Sequence, residues 1–211
     1  PSRDWPENDP GPIIPGSRIT DGKMPLPTQT VARTRKHRRS ITFEGFKRDD
    51  GLWDIEGRLV DIKDQDFVMR SGTRRSGDPI HDISVRVTID SEMNVIDVVA
   101  CADSTPFPDV CGQVLPDYRK IVGLNLFKGF LKSVKSLFGD TRGCTHLSEL
   151  LMALPTAAMQ SFSGETKHEE HEHGHGHEKK PFYLDRCHAL STDSDVVRSH
   201  FPRWYRNPPP G

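Results

Sequence analysis

Residues 81–90 read HDISVRVTID, and this stretch decides the fold. Apolar and polar residues alternate along it, which is the two-residue period of a β-strand with one buried face. The apolar positions are Ile83, Val85, Val87 and Ile89. A second strand is predicted over NVIDVVACA, residues 94–102, after a turn. Cys101, near the end of that apolar run, is predicted to lie in the core.

Further strands are predicted before this pair. ITFEGF, residues 41–46, alternates in the same way. KRDDGLWDIEGRLVDI, residues 47–62, carries an Asp-Gly turn signal between strand-like runs, and DFVMR, residues 66–70, adds a short strand. The first half of the chain is therefore predicted to form an antiparallel β-meander.

The second half has the period of helices. LNLFKGFLKSVKSLF, residues 124–138, has one apolar side and is followed by Gly139, a typical helix stop. A second helix is predicted from Leu147 to Ala158, with a kink or interruption at Pro155. Strands followed by helices predict an α+β fold, with the helices packed on one face of the meander.

Composition divides the chain into one folded domain and several polar segments. Residues 1–37 are predicted to be a disordered, Pro-rich and basic arm, and residues 38–163 the α+β domain. Residues 164–180 read as a His-rich, low-complexity loop. Residues 181–206 regain apolar and aromatic residues and are expected to return to the domain, for example as an added strand, before a tail at 207–211.

Charge limits the classes of partner. Lys and Arg total 29 and Asp and Glu total 30, so the formal net charge is −1 and gives no general reason to expect nucleic acid or an anionic membrane. The basic run RTRKHRR, residues 33–39, is therefore interpreted as a solvated linker. No apolar run approaches the length of about 18 residues that a membrane span needs. The polar arms at both ends could wrap a neighbouring subunit in a homo-oligomer or could be disordered.

Cysteine content and the first residues of the chain indicate a compartment. Four cysteines are too few for a secreted disulfide scaffold of 211 residues. Residues 1–16 lack the basic and apolar regions of a secretory signal. A cytoplasmic location with free thiols is therefore predicted.

The candidate chemistry centres on GCTHLSELL, residues 143–151. Cys144 and His146 stand where a helix is predicted to begin, and a helix N-terminus favours a thiolate, the form that attacks carbon or binds metal. Together with His81 and Cys111 they would form a set of two histidines and two cysteines suited to zinc or iron. A Cys–His pair for nucleophilic catalysis is the alternative, with His81 the better base. Buried cysteines that merely fill the core are the competing interpretation, since the chain has no CxxC or HExxH pattern.

Other residues could support that site. Asp82 could replace one of those ligands as an oxygen ligand or act as a general base beside a metal, and Arg86, on the same strand face, could steady an anionic group. The His-rich loop could load metal or could be a solvated insert; its histidines are His168, His171, His173, His175 and His177. Cys187 and His188 could be further metal ligands or could pack at the edge of a strand.

Several motifs together mark a family. The chain resembles, over about residues 38–206, an uncharacterised bacterial family known only as a domain of unknown function. The motifs that carry this resemblance are RDDGLWDIEGRLVD, GDPIHDISVRVTID, TPFPDVC, GCTHLSELL and DRCHAL. That resemblance implies a domain boundary and no activity.

A second resemblance is to iron–sulfur scaffold proteins of the IscU/NifU type, from the order GDPIHD, VRVTID, Cys111 and GCTHLSELL. It implies an IscU-like fold in which Asp82 matches the scaffold's aspartate, while Cys111 and Cys144 match its second and third cysteines. The sequence departs from the scaffold because His81 stands where the first cysteine belongs. Gly143 likewise replaces a histidine, for which His146 could substitute. A histidine-rich set favours one zinc or iron ion over a cluster.

These observations predict a metal-binding protein. The favoured function is a zinc- or iron-dependent lyase or hydrolase that acts on a small organic substrate, with a metal or iron–sulfur carrier as the alternative. A non-catalytic interaction module that uses the basic arm is the third possibility.

Overall fold

The structure of the chain is a computed structural model that describes residues 26–163 and 180–207. Most of the predicted N-terminal arm, the His-rich histidines and the last four residues lie outside this range. The chain divides into two units, Pro1–Lys36 and His37–Gly211. The described part of the first unit, residues 26–36, contains no helix or strand.

The second unit is built on a four-stranded antiparallel sheet. Its strands are β1 (His37–Lys47), β2 (Trp53–Lys63), β5 (Pro79–Ile89) and β6 (Val95–Ser104), in the order β1–β2–β5–β6. A separate hairpin, β3 (Phe67–Met69) and β4 (Gly72–Arg74), lies between β2 and β5 in the chain. The Asp-Gly turn joins β1 to β2 as predicted, with Gly51 at φ +83°, a conformation that glycine adopts without strain. The predicted meander is confirmed.

Helices follow the strands. The α-helices are α1 (Pro108–Cys111), α2 (Phe130–Phe138), α3 (Thr145–Phe162) and α4 (Asp195–His200). Short 3₁₀ segments are Gly112–Ile121, Asp140–Arg142, His188–Leu190 and Pro202–Trp204. Within the described residues, no helix combines the length and the apolar character that crossing a membrane requires.

Two predictions about the helical half need correction. Helix α3 is not interrupted at Pro155 but continues to Phe162. A proline removes only one backbone hydrogen bond, and the buried apolar stripe of α3, which includes Pro155 itself, extends on both sides of it. The segment after residue 180 forms short helical turns and no added strand in its described part.

The core lies between the sheet and the helices. Every second residue along the central strands is buried and faces the helices. These residues include Ile55, Leu59, Ile83, Val85 and Val87. Helix α3 supplies Leu147, Leu150, Leu151, Leu154 and Ala158. Trp53 stacks on Phe162 with ring centroids 4.3 Å apart. This arrangement confirms the α+β fold.

Cys101 is exposed, contrary to the prediction that it lies in the core. In β6 the positions paired with the buried side of β5 are Val98, Ala100 and Ala102. Cys101 falls between them and therefore points to the outer face of the sheet, because successive strand residues point in opposite directions.

Candidate metal centre

A cluster of charged and imidazole side chains lies where the apolar face of the sheet ends. Asp61 comes two residues after buried Leu59 on β2, so it points to the same helix-facing side. The strand pairing sets Asp61 opposite Arg39 of β1 and His81 of β5. Helix α3 adds His146 from its first turn. Four elements therefore bring polar groups to one end of the core.

Asp61 is the centre of this cluster. Its side chain is only 5% exposed, and its Oδ1 contacts Nε2 of His37 at 2.7 Å and accepts a hydrogen bond from Arg39 Nε at 2.9 Å. Its Oδ2 accepts from Arg39 Nη2 at 2.8 Å and lies 3.1 Å from His81 Nδ1 and 3.7 Å from His146 Nε2. Arg39 also donates to Glu149 at 2.5 Å.

The surroundings set the charge of each group. Burial opposes the ionisation of Asp61, but the hydrogen bonds from Arg39 and His37 outweigh it and hold the pKa of this carboxyl well below its usual range. Burial lowers the pKa of His81, and Asp61 offsets only part of that effect. Burial and the neighbouring His81 together lower the pKa of His146. The carboxylate is therefore ionised near pH 7 and both imidazoles are neutral, the forms that bind metal ions.

Three of these residues are close enough to hold one metal ion. One ligand atom from each of Asp61, His81 and His146 lies within 4.8 Å of the others. Two ligands on one tetrahedral zinc ion, each at about 2.1 Å, are about 3.4 Å apart. The 3.1 and 3.7 Å from Asp61 Oδ2 to the two histidine nitrogens lie near that spacing, although 3.1 Å is also the length of a hydrogen bond between His81 and Asp61. His81 can present Nδ1 as a ligand when its proton is on Nε2.

The structure brings together two of the four metal ligands predicted from the sequence, His81 and His146. Cys144 occupies the N-cap of α3, at the predicted start of the helix, and its Sγ lies 3.8 Å from His146 Nδ1. That nitrogen is on the opposite side of the ring from Nε2, which faces Asp61, so the thiol lies beyond the histidine rather than in the group of three. Cys111, at the end of α1, lines with Cys144 a small, mainly apolar cavity of about 160 Å³ that both histidines also border.

The two predicted catalytic residues lie elsewhere. Asp82 and Arg86 share a face of β5, as predicted, but it is the outer face, away from the helices. Asp82 accepts hydrogen bonds from Arg58 at 2.8 and 2.6 Å, and Arg86 pairs with Glu56 at 3.2 Å. Because Asp82 follows His81 directly in a strand, the two side chains point to opposite faces and do not meet at one site.

Sequence reasoning missed Asp61, Arg39 and His37. The alternation that made Leu59 a core residue also assigned Asp61 to the buried face, and a carboxylate at a core position of a strand is a signal for a site. The basic run 33–39 was interpreted as a linker. Its last three residues, starting at His37, instead belong to strand β1.

A groove of about 530 Å³ opens beside the cluster. His37, Arg39, Asp61, His81 and His146 all line it. The side chains of His81 and His146 are 18% and 21% exposed, so a molecule in the groove could contact them.

Fold and site together define an α+β domain whose sheet and longest helix enclose one carboxylate and two imidazoles. Residues 37–160, more than half of the chain, match the family described as protein of unknown function (DUF2889). The chain belongs to this family, as its motifs indicated. None of the curated proteins and none of the solved structures compared with the chain matches it. The resemblance to iron–sulfur scaffolds is therefore not supported.

Proposed function

We propose that Asp61, His81 and His146 hold one divalent zinc or iron ion, and that the domain is a metal-dependent lyase or hydrolase acting on a small organic substrate. The observation that carries this proposal is the convergence of the three ligand atoms within 4.8 Å at the wall of a groove. Three protein ligands leave a coordination position for water or substrate, which is typical of catalytic rather than structural sites. One carboxylate with two histidines suits zinc or non-haem iron.

The surrounding residues have distinct roles in this proposal. A bound ion would act as a Lewis acid on an oxygen of the substrate. Arg39 would fix the orientation of Asp61 through its two hydrogen bonds and would be fixed in turn by Glu149. His37 also contacts Asp61 and lines the groove, so it replaces Asp82 as the candidate general base.

The test is a metal titration of the 211-residue chain. The histidines of the His-rich segment are first replaced by glutamine, so that they do not contribute ions. We expect one Zn²⁺ or Co²⁺ per chain, and at least about tenfold weaker binding after His81→Ala, His146→Ala or Asp61→Asn. His188→Ala, outside the cluster, is the matched control and should bind normally. A protein that binds no metal, or whose binding survives all three substitutions, would refute the site.

The carrier alternative has less support. A carrier must release its ion, whereas Asp61 is 5% exposed and is held by several hydrogen bonds. A carrier would lose Zn²⁺ to a competing chelator within the mixing time. A resident catalytic ion should take minutes or longer to leave, which a chromophoric chelator can measure.

A second candidate function is thiol catalysis by Cys144. The observation that favours it is the 3.8 Å contact between Cys144 Sγ and His146 Nδ1 at the N-terminus of α3. Rate measurements of Cys144 alkylation distinguish the two functions. A reactive thiolate would be alkylated faster in the parent chain than in His146→Ala, whereas a cysteine that only packs beside the histidine would react equally slowly in both.

A further inference from the structure

The groove beside the cluster has one apolar wall. Phe67, Val68 and Met69 of the β3–β4 hairpin line it, and Phe107 joins them from the start of α1. Val68 is 77% exposed and Phe107 56% exposed. Large apolar side chains that face an open groove and remain in water favour the binding of an apolar ligand surface.

The same groove has two cations without a carboxylate partner. Lys63 comes two residues after Asp61 on the same face of β2, and Arg70 follows β3 in the hairpin turn. In the part of the chain that the structure describes, neither side chain makes an ion pair; the Lys63 ammonium lies 5.5 Å from the centre of the Phe67 ring. Arg39, in contrast, is already paired with Asp61 and Glu149.

Shape and charge together point to one class of ligand. The volume of about 530 Å³ falls in the range of small-molecule sites, about 300–1,000 Å³. Asp61 is the sole carboxylate among the described lining residues, and Arg39 compensates its charge. The remaining charge of the groove is positive and lies beside an apolar wall.

We propose that this groove binds a small amphiphilic anion, with a carboxylate or phosphate head held by Lys63 and Arg70 and an apolar body against Phe67, Val68 and Phe107. This substrate class rests on the proposed metal-dependent function for its chemistry. Lys63 lies two residues from Asp61 on the strand and lines the same groove, so a head group at Lys63 brings the adjoining bonds of the ligand toward the metal centre. Binding itself needs only the groove and can be measured without metal.

The test uses calorimetry with four probes on the 211-residue chain, stripped of metal and dialysed free of chelator. The probes are octanoate, octyl phosphate, octanol and acetate. We expect octanoate or octyl phosphate to bind about tenfold more tightly than octanol, because a charged head gains charge-assisted hydrogen bonds. Acetate should bind too weakly to measure, because each methylene that is removed loses about 0.8 kcal/mol of burial.

Variants identify the cations responsible. The double variant Lys63→Gln/Arg70→Gln should lose the preference for the anion over octanol, about a tenfold change. Lys128→Gln, an exposed lysine outside the groove lining, is the matched control and should retain it. Equal affinity for octanol and both anions, or an unchanged preference in the double variant, would overturn the assignment.

A parallel Zn²⁺ titration separates this inference from the proposed function. Anion preference without metal binding supports the groove assignment and refutes the metal-dependent function. Metal binding without anion preference leaves the metal site intact and refutes the substrate class.

Discussion

Replacing Asp61 by asparagine should destabilise the domain by about 3 kcal/mol. Asparagine has the same size but no charge, and one of its two oxygen positions becomes an NH₂ group that faces the donors of Arg39. Hydrogen bonds to charged groups contribute about 1.5–3 kcal/mol each, and removing one partner of a buried ion pair costs about 3–5 kcal/mol. We take the lower end because the Arg39 side chain is 33% exposed and keeps Glu149 as a partner.

The outer face of the sheet supplies a matched control. Asp82 makes the same kind of two-bond pair with an arginine, Arg58, whose side chain is 56% exposed. The Asp82 side chain is itself only 11% exposed, but water reaches its arginine partner freely. Asp82→Asn should therefore cost less than Asp61→Asn, about 1.5 kcal/mol, the lower end for a hydrogen bond to a charged group.

Urea unfolding at pH 7, followed by far-UV circular dichroism and the fluorescence of buried Trp53, measures both losses. A chelator must be present, because a bound metal ion would add its own stabilisation to the parent chain. Losses for Asp61→Asn and Asp82→Asn that agree within about 0.5 kcal/mol would refute the reasoning, because the exposure of the arginine partner would then make no difference.

Three further predictions concern residues around the site and the core. The hydrogen bond from Arg58 lowers the pKa of Asp82 in the folded state. The ionised carboxylate therefore stabilises the fold above the unfolded-state pKa of about 3.9, and this stabilisation is lost as pH falls through the lower folded-state pKa. In Asp82→Asn, the urea midpoint should depend less on pH below about pH 4, and its dependence on pH between 6 and 8 should be unchanged. Tyr118→Phe removes a hydroxyl 2.9 Å from both the N–H and the C=O of Cys144 and should cost about 2 kcal/mol in urea unfolding, whereas a loss below about 0.5 kcal/mol would mean that water replaces the hydroxyl. Gly45→Ala would place a Cβ 1.9 Å from the Ser161 hydroxyl and should lower stability by about 2 kcal/mol; a loss of the same size in a Ser161→Gly background would exclude that clash as the cause.

Local sequence patterns were sufficient for the strands of the sheet, for the two main helices and for part of the site. Alternation in β5 identified its buried face, and the turn before α3 indicated that the helix begins near Cys144. His81 and His146 were selected because each lies near the start of an element, where rigid scaffolds present functional groups. Each of these signals lies within a few consecutive residues, so it can be recognised without knowing which segments pair in the fold.

The rest of the site depends on pairing between segments. Asp61 meets Arg39 and His81 only because β2 lies between β1 and β5 in a particular register. No single stretch encodes that register, and a slip of one residue would turn Asp61 to the outer face. Asp82 was predicted as a site residue because it follows His81 directly, and the scaffold resemblance matched it as well. Strand alternation, which sets Asp82 and His81 on opposite faces, argued against that prediction.

Formal charges connect the two proposals. Asp61, Glu149 and Arg39 sum to −1 within the cluster, and histidines that bind metal are neutral. A divalent ion changes this sum to +1, and Lys63 and Arg70 raise the local total to +3. A buried ion pair is by itself weak support for stability, because apolar residues of similar volume often stabilise as well or better. The buried part of this cluster is the Asp61 carboxylate, whose charge Arg39 already balances, while Glu149 is 39% exposed. A divalent ion would therefore make the groove more positive and strengthen the binding of an organic anion, which Lys63 and Arg70 attract even without the ion.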